Sequence, residues 1–543
     1  MVPNIALSVT EPISVMAKVC NIMVPLSLYY LYLSYTKNIG KAVWIMFPII
    51  FLGAFQIVLL YLFGESVIAV DMFLNLTTTN TGEAMELLNN MLPAIITILI
   101  MYVPTLIVAG VIWRKQIALK DATKKEEKKR SLLLLVASVG MLIATYATQS
   151  NYQAKLHLFP VNVCYNIKLA VERHIKTIEY KESSKEYSIS ALSTRSSDER
   201  EIYVLVIGET SRAYNWQIYG YEKNTNPLLS KEDGVITFSK VLSESNTTHK
   251  SVPMLLSEVD AHSFNQIYTK KSIITAFKQA GFKTAFFSNQ RYNNSFIDFF
   301  GKEADTYLFI KEQGGANSNN PMDTELVRLV EQEIDKGHKK QLIVLHTYGS
   351  HFNYRERYPK DKAIFMPDYP VDASVVYKDN LHNAYDNSIV YTDFFLHSII
   401  DLLKSKDATA TMIYTSDHGE DIFDDGRKLF LHASPTPSYY QIHVPFVVWL
   451  SEKYSQTYND LYGNLKANKD KDISSSSSLY HTTLEIAGIE SSSLNSSLSV
   501  SNDKFLPTSR VYLNDHNKAM PLTNINLKEE DYEMLRRKGI SEK

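Results

Sequence analysis

The sequence predicts an α-helical transmembrane region followed by an α/β domain built on a central, mostly parallel sheet. Long apolar runs, each near the roughly 20 residues that cross a bilayer, fill the first 150 residues. After about residue 200, short β-branched runs alternate with helical patterns, which is typical of a parallel sheet covered on both faces. A chain of 543 residues also exceeds what one hydrophobic core usually supports, so at least two structural units are expected.

The apolar runs predict membrane spans, and the loops between them predict their orientation. The runs cover 19–36, 42–64, 91–113 and 131–148. The segment 1–17 is too short and too polar to cross the membrane cleanly. The sequence therefore leaves open whether there are four or five spans. The loop 114–130 holds eight basic and three acidic residues, whereas 65–90 has four acids and no Lys or Arg. Because basic loops stay in the cytoplasm, everything after residue 148 is expected outside it.

Composition and charge divide the chain into three regions. We expect a transmembrane helical domain over 1–148, an amphipathic connector and linker over 149–200, and a globular domain over 201–543. The connector begins with a helical pattern suited to a membrane surface and ends in a Ser-rich polar stretch. A net charge of -2 gives no reason to expect nucleic-acid binding. With two cysteines, a disulfide framework is excluded.

Polar residues follow three of the predicted strands. Glu209 follows "VLVIG", a histidine-containing stretch "HTYGSH" follows "QLIVL", and Asp417 and His418 follow "ATMIYTS". Ligands of open α/β folds gather at the carboxyl ends of the strands, and carboxylates with an imidazole suit zinc or manganese. A single Asp-His pair is more often part of a hydrogen-bonded turn than of a metal site. Thr210 and Ser211 are expected to bond local backbone groups.

Several longer motifs occur in a fixed order: "GETSRAYNWQIYGYEKNTNPLL", "NTTHKSVPMLL", "GSHFNYRERYP", "YTSDHGED" and "FLHASPTPSYYQIHVPFVVW". With these motifs the chain resembles the phosphoethanolamine transferase family of the alkaline phosphatase/sulfatase superfamily, which includes lipid A phosphoethanolamine transferases and mobile colistin-resistance enzymes. The resemblance implies an alkaline phosphatase-like fold for 201–543. It also implies a multi-pass protein of the bacterial inner membrane, with its catalytic domain in the periplasm.

The resemblance assigns catalytic roles by position. The implied zinc ligands are Glu209, Thr248, Asp417 and His418, with Mn²⁺ as the alternative metal. Thr248, three residues before the first residue of "SVP", is the implied nucleophile, rather than Thr247. His351 and His432 match histidines that contact the phosphoryl group or a second metal, so the number of metal ions stays open.

Two further groups match substrate-binding positions of the family. Asn75, Thr79 and Glu83 are spaced by four, so on a helix they share one face. The resemblance implies that this face holds the ethanolamine head group, and the alternative is a Thr-rich helix cap. Asn289 and Gln290 in "FFSNQ" lie where the family places polar substrate contacts.

The implied activity is transfer of phosphoethanolamine from phosphatidylethanolamine to lipopolysaccharide, through a covalent intermediate on Thr248. A monomer in contact with membrane lipids is expected, without a nucleic-acid partner. The acceptor, a lipid A phosphate or a core sugar, stays open, as does polymyxin resistance. Alternative functions are phosphoglycerol transfer of the lipoteichoic acid synthase type and a non-catalytic lipid-binding membrane protein. Sulfatase activity is disfavoured because no Cys or Ser stands in a "CxPSR" pattern.

Overall fold

The computed structural model divides the chain into two compact units. It describes residues 1–11, 13–63, 68–78, 92–118, 121–313 and 320–543, with the backbone alone at 61–63, 75–78 and 93. The first unit contains Met1–Arg173 together with Asp425–Leu429, and the second contains His174–Asp424 and Phe430–Lys543.

The first unit is helical. Its helices are α1 (Val2–Thr10), α2 (Val15–Tyr35), α3 (Ile39–Ile45), α4 (Phe47–Phe63), α5 (Val70–Thr78), α6 (Leu92–Arg114), α7 (Asp121–Thr148), α8 (Ala154–His157) and α9 (Val161–Ile178). Among the described residues, three helices are long and apolar enough to cross a membrane, in α2, α6 and α7. The number rises to four if α3 and the adjoining part of α4, which meet at a bend of 57°, form one span.

The bend interrupts the apolar run predicted over 42–64. Pro48 is the second residue of α4, a position that tolerates proline because the missing N–H would have no partner within the helix. A proline at this point favours the start of a new helix over the continuation of α3.

Small polar residues join α2 to α7. The hydroxyls of Ser27 and Ser138 lie 2.7 Å apart, and those of Ser34 and Ser131 lie 2.9 Å apart, with all four side chains buried. Small side chains let helices approach closely in an apolar environment, where their hydroxyls then need partners. These serines therefore explain why two apolar helices pair in this register.

The second unit is built on a seven-stranded sheet with the order β3-β11-β8-β2-β7-β5-β6. Its strands are β2 (Glu201–Gly208), β3 (Val235–Phe238), β5 (Lys283–Ser288), β6 (Thr306–Phe309), β7 (Lys340–His346), β8 (Thr409–Ser416) and β11 (Phe446–Leu450). Strands β8, β2, β7, β5 and β6 run parallel to one another, whereas β11 is antiparallel to both β8 and β3. The predicted fold class, helices followed by an α/β domain with a mostly parallel sheet, is confirmed.

Short strands pair outside this sheet. They are β1 (Ala191–Ser193), β4 (Val241–Leu242), β9 (Asp421–Ile422), β10 (Phe430–Leu431), β12 (Ile473–Ser474), β13 (Ile489–Ser491), β14 (Val511–Leu513) and β15 (Ala519–Pro521). They form the pairs β1-β13, β9-β10, β4-β12 and β14-β15.

Helices cover both faces of the sheet. They are α10 (Tyr180–Ser183), α11 (Thr248–Leu255), α12 (Ile273–Gln279), α13 (Phe296–Gly301), α14 (Glu325–Ile334), α15 (Lys378–Lys404), α16 (Tyr439–Ile442), α17 (Glu452–Thr457), α18 (Asn459–Asn468), α19 (Ser475–Ile486) and α20 (Glu529–Arg537). Strand β2 is buried along its whole length. Because side chains alternate along a strand, its apolar residues pack into two separate cores, one on each face.

Two parts of this unit differ from the sequence pattern. The edge strands β3 and β6 are four residues each, too short for the pattern to separate them from loops. Helix α15 begins at Lys378, whereas the helical pattern in the sequence, "NSIVYTDFFLHSIIDLLKS", starts at 387. Polar residues dominate its first turns, over 378–386, and one of them, Asp386, is buried, so the helical periodicity is hidden there.

Candidate metal and nucleophile site

Three segments of the second unit meet at the carboxyl edge of the sheet. Strand β2 leads into Glu209, and its neighbour β8 leads into Asp417 and His418. The two strands are parallel, and Gly208 pairs with Ser416, so the carboxylates that follow emerge side by side. Helix α11 begins at Thr248, which contacts the same carboxylate and imidazole.

The acids and the histidine converge on one point. One ligand atom each from Glu209, Asp417 and His418 lies within 4.8 Å of the others, and all three residues are buried. His418 Nε2 lies 3.2 Å from Asp417 Oδ2 and 3.6 Å from Glu209 Oε1. The structure thus brings these three predicted ligands together.

Thr248 completes this cluster. Its Oγ1 lies 3.1 Å from His418 Nε2 and 3.2 Å and 3.4 Å from the two carboxylate oxygens of Glu209. The hydroxyl of the neighbouring Thr247 has a different partner and lies 3.1 Å from the hydroxyl of Ser245. Of the two adjacent threonines, Thr248 is therefore the one placed against the predicted ligands.

The donor set fits a divalent metal of the zinc type. Asp417 Oδ2 is buried without a hydrogen bond, 3.2 Å from the ring nitrogen of His418, which is costly unless a cation satisfies the oxygen. His418 Nδ1 donates to the carbonyl of Gly419 at 2.9 Å, which leaves Nε2 with its lone pair for a ligand. Two carboxylates and an imidazole match three ligands of a four-coordinate site, and the Thr248 hydroxyl is placed to take the fourth position.

Burial and charge shape the protonation of the cluster. Burial raises the pKa of Asp417, although His418 opposes the rise. Burial lowers the pKa of His418, but the carboxylates of Asp417 and Glu209 outweigh it and the net shift is upward. The two carboxylates therefore make the cluster favourable for a positive charge, as a cation site requires.

The loop after β2 holds Glu209 in place. Thr210 has a left-handed backbone with φ of 59°, which costs of order 1–3 kcal/mol for such a residue. Its N–H donates to Asp417 Oδ1 at 3.1 Å, and its hydroxyl donates to Glu209 Oε1 at 2.8 Å. The hydroxyl of Ser211 accepts from Trp216 Nε1 at 2.9 Å. Both hydroxyls thus bond side chains, where backbone partners were expected.

A glycine brings the next loop against Glu209. At Gly349 φ is 52°, and a Cβ built there would lie 2.5 Å from the Glu209 carbonyl oxygen and 2.9 Å from its nitrogen. Ser350 N donates to the same carbonyl at 2.9 Å. Only glycine combines this conformation with so close an approach.

The two polar residues after β5 point to different neighbours. Gln290 Nε2 donates to Glu209 Oε2 at 2.9 Å and to the Thr347 carbonyl at 3.0 Å. Asn289 Nδ2 donates instead to Asp323 Oδ1, whose carboxylate also accepts from Tyr348 N. The structure therefore places Gln290 beside the predicted ligands and Asn289 behind the adjoining loop, and the predicted substrate contact of both stays a prediction.

Two further histidines lie next to the cluster. The ring centroids of His432 and His418 are 4.2 Å apart, and those of His351 and His432 are 5.9 Å apart. His351 Nδ1 donates to the carbonyl of Phe352 at 2.6 Å. Burial lowers the pKa of each of His351 and His432 to about 3, so both rings are neutral near pH 7. The two predicted histidines thus line one side of the site.

Glu420 is a site residue that the sequence analysis did not identify. Its Oε2 lies 2.7 Å from His432 Nδ1, and its Oε1 accepts from the hydroxyl of Tyr354. Burial raises the pKa of Glu420 to about 8, so Glu420 and His432 together hold one proton near neutral pH. Its place two residues after His418, in the same motif, was the available signal.

The residues predicted to bind the ethanolamine head group lie mostly outside the part of the chain that the structure describes. Asn75 lies in α5, where the structure describes the backbone alone. Thr79 and Glu83 lie outside the described residues. Their predicted contact with ethanolamine therefore stays a prediction.

The fold and the site together define a class: an α/β domain with an acid, histidine and threonine cluster at the carboxyl edge of its sheet, attached to apolar helices. The model of the sulfatase family matches residues 201–489. The chain belongs to the sulfatase family, within the alkaline phosphatase superfamily.

The similar proteins confirm the resemblance to phosphoethanolamine transferases. Over 280 residues the chain is 32% identical to Kdo(2)-lipid A phosphoethanolamine 7''-transferase of Escherichia coli strain K12, covering 50% of this chain and 48% of that one. The chain thus spans about half the length of the curated relatives that it matches.

Two solved structures share the fold. The integral membrane protein lipooligosaccharide phosphoethanolamine transferase A from Neisseria meningitidis matches with a TM-score of 0.66 and 21% identity, covering 88% of this chain and 97% of that one. The C-terminal periplasmic domain of EptC from Escherichia coli, in complex with Zn, matches with a TM-score of 0.57 and 24% identity, covering 62% of this chain and 96% of that one.

Proposed function

We propose that this chain transfers phosphoethanolamine from phosphatidylethanolamine to a lipopolysaccharide acceptor, a lipid A phosphate or a core sugar. The names of the curated relatives support the transferred group and the acceptor class. The observation that carries the proposal is the placement of Thr248 Oγ1 within 3.4 Å of both Glu209 carboxylate oxygens and of His418 Nε2. A hydroxyl so placed is a candidate nucleophile, which ordinary surface threonines are not.

Zn²⁺, or Mn²⁺ in its place, would be held by Glu209, Asp417, His418 and Thr248. When bound, the metal supplies a Lewis acid that lowers the pKa of a hydroxyl and neutralises phosphoryl charge. The protein's own residues fix the hydroxyl and its surroundings. Gln290 and Thr210 each donate a hydrogen bond to Glu209, and these two bonds restrict the orientation of its carboxylate.

The reaction proceeds in two displacements that balance. In the first, a bond forms between Thr248 Oγ1 and phosphorus while the bond from phosphorus to diacylglycerol breaks. Thr248 loses one proton and diacylglycerol gains one. In the second, an acceptor oxygen forms a bond to the same phosphorus while the bond from phosphorus to Thr248 Oγ1 breaks, and the proton that the O–H of the acceptor loses returns to Thr248.

His351 and His432, together with Glu420, are placed to transfer protons during the reaction. Glu420 and His432 share a proton, and this proton is available to the alkoxide of the departing diacylglycerol. His351, whose Nδ1 donates to a backbone carbonyl, presents its other nitrogen as a neutral hydrogen-bond acceptor for the hydroxyl of the acceptor molecule.

The proposal includes an orientation and a donor site. Residues 201–543 act in the periplasm and 1–148 anchor the enzyme in the bacterial inner membrane, with 149–200 as connector. This follows from the basic loop 114–130 and the acidic loop 65–90. Glu83, with Asn75 and Thr79, pairs with the ethanolamine ammonium, because a carboxylate matches a cationic head group and would not select glycerol.

Mass spectrometry of lipopolysaccharide from cells with and without the enzyme tests the proposal. We expect added phosphoethanolamine, and its position identifies lipid A or core sugar as the acceptor. Cells carrying Thr248→Ala should lose the addition, whereas Thr247→Ala, the matched neighbour that bonds Ser245, should keep most of it. Phosphoglycerol on a product would favour the alternative of a phosphoglycerol transferase. Unchanged lipids in cells that contain the folded, membrane-inserted protein would favour a non-catalytic lipid-binding protein.

A further inference from the structure

The loop that links the site to helix α15 exposes apolar side chains. Between His351 and Lys378 the chain runs without a strand, and Ile364, Met366, Tyr369, Val375 and Val376 point largely into solvent. Tyr369 is 72% exposed and Val376 is 83% exposed. We call residues 364–376 the apolar loop. Scattered exposed apolar residues are ordinary, but five in one short loop indicate a surface that contacts something apolar.

Polar contacts on the inner side hold the apolar loop in shape. Asn387 of α15 accepts from the N–H groups of Ile364 and Phe365, both at 2.8 Å, and donates to the Phe365 carbonyl. The buried carboxylate of Asp368 accepts from the Tyr358 hydroxyl at 2.8 Å and pairs with Arg355 at 2.9 Å. The apolar side chains are thus held outward on a braced loop.

The composition of the apolar loop suits a lipid headgroup region. Tyrosine and aliphatic residues prefer the membrane-water interface, where lysines nearby can meet lipid phosphates. Lys360 and Lys362 precede the loop and Lys378 follows it, and the exposed acids Asp361, Asp372 and Asp379 balance these three charges. With no net charge around the loop, its exposed tyrosine and aliphatic side chains, rather than its charge, favour a lipid bilayer.

The position of the apolar loop connects it to the reaction. It lies between His351 and helix α15, in which Asn387 accepts from the N–H of Ile364 and Tyr385 donates to the carbonyl of Thr210, next to Glu209, at 2.7 Å. The same chain contains apolar helices long enough to cross a membrane. A bilayer is therefore the apolar partner that is always available to this loop.

We infer that the apolar loop inserts into the headgroup region of the bilayer and holds the mouth of the site at the lipid surface. The contact with the bilayer is inferred from the exposed apolar side chains and does not depend on the proposed enzymatic activity. Its benefit for catalysis rests on the proposed function, in which the donor is a membrane lipid.

A fluorescent label tests the contact without any turnover. The full-length protein, with Cys164→Ser to remove the exposed native thiol, carries Val376→Cys or Leu192→Cys and is labelled with an environment-sensitive dye. Leu192, 69% exposed in β1 at the other edge of the sheet, is the matched control. In nanodiscs of phosphatidylcholine and phosphatidylglycerol, we expect a blue-shifted emission and quenching by spin-labelled lipid at 376 and neither at 192. Equal emission and equal lack of quenching at the two positions would overturn the inference.

Substitution in the apolar loop tests the benefit for catalysis. Tyr369→Ser with Val376→Ser should lower transfer from a long-chain phosphatidylethanolamine in vesicles roughly tenfold, because two apolar contacts with the bilayer are lost. Transfer from dihexanoyl phosphatidylethanolamine below its critical micelle concentration should not change. Equal loss with both donors, or no loss with either, would contradict the benefit. If the unaltered enzyme transfers nothing, the proposed function fails while the label still reports on the contact.

Discussion

Gln290 offers a sharp test of how the site is held together. Its amide donates to Glu209 Oε2 at 2.9 Å and to the Thr347 carbonyl at 3.0 Å, at the junction of two strands. Gln290→Met keeps the length of the side chain and removes both donors. A hydrogen bond to a charged group contributes about 1.5–3 kcal/mol, and groups behind metal ligands typically change metal affinity by roughly 10- to 100-fold. We therefore expect zinc to bind roughly 10- to 100-fold more weakly in Gln290→Met.

Competition between the purified full-length enzyme and a zinc-binding chromophore measures this change. Thermal unfolding of the same samples controls for loss of fold. Asn289→Ala is the neighbouring control, because the amide of Asn289 contacts Pro321 and Asp323 instead of Glu209. Unchanged zinc affinity together with a raised KM for the donor would refute the reasoning and return Gln290 to the role of a substrate contact.

Three further predictions address the metal, the donor and the topology. Asp417→Ala should remove tightly bound zinc and essentially all transfer, since it opens a closed ligand set; full zinc occupancy by elemental analysis would show that the site is misplaced. Glu83→Ala should reduce transfer from phosphatidylethanolamine while zinc content stays normal, and unchanged activity in native membranes would leave Glu83 as part of an ordinary polar helix. A reporter enzyme that works only in the periplasm should be active when it is fused after residue 200. Activity at this position of a reporter that works only in the cytoplasm would contradict the proposed orientation.

The sequence was informative where chemistry follows a strand directly. Glu209 and Asp417 stand one residue past buried apolar strands, and parallel strands end at one edge of the sheet, so their meeting could be predicted. The broken helix was harder to predict. The run 42–64 is apolar apart from Gln56, and Pro48 alone does not reveal whether a span bends, kinks or ends.

Side-chain direction at the strand ends could not be predicted. Asn289 and Gln290 are adjacent amides of similar chemistry, and only the register of β5 beside β7 decides which of them reaches Glu209. The pairing of Glu420 with His432 likewise depends on the hairpin of β9 and β10, two strands of two residues each. Strands so short leave no periodic signal in the sequence.

Mapping the covalent intermediate tests the central claim most directly. The full-length enzyme is incubated with phosphatidylethanolamine without acceptor, stopped in acid, digested and analysed by peptide mass spectrometry. We expect phosphoethanolamine on Thr248, absent in Thr248→Ala and present in Thr247→Ala, because only the hydroxyl of Thr248 faces Glu209 and His418 among the two. Phosphoethanolamine on Thr247, Thr210 or Ser211 instead, or persistent labelling of Thr248→Ala, would contradict the account.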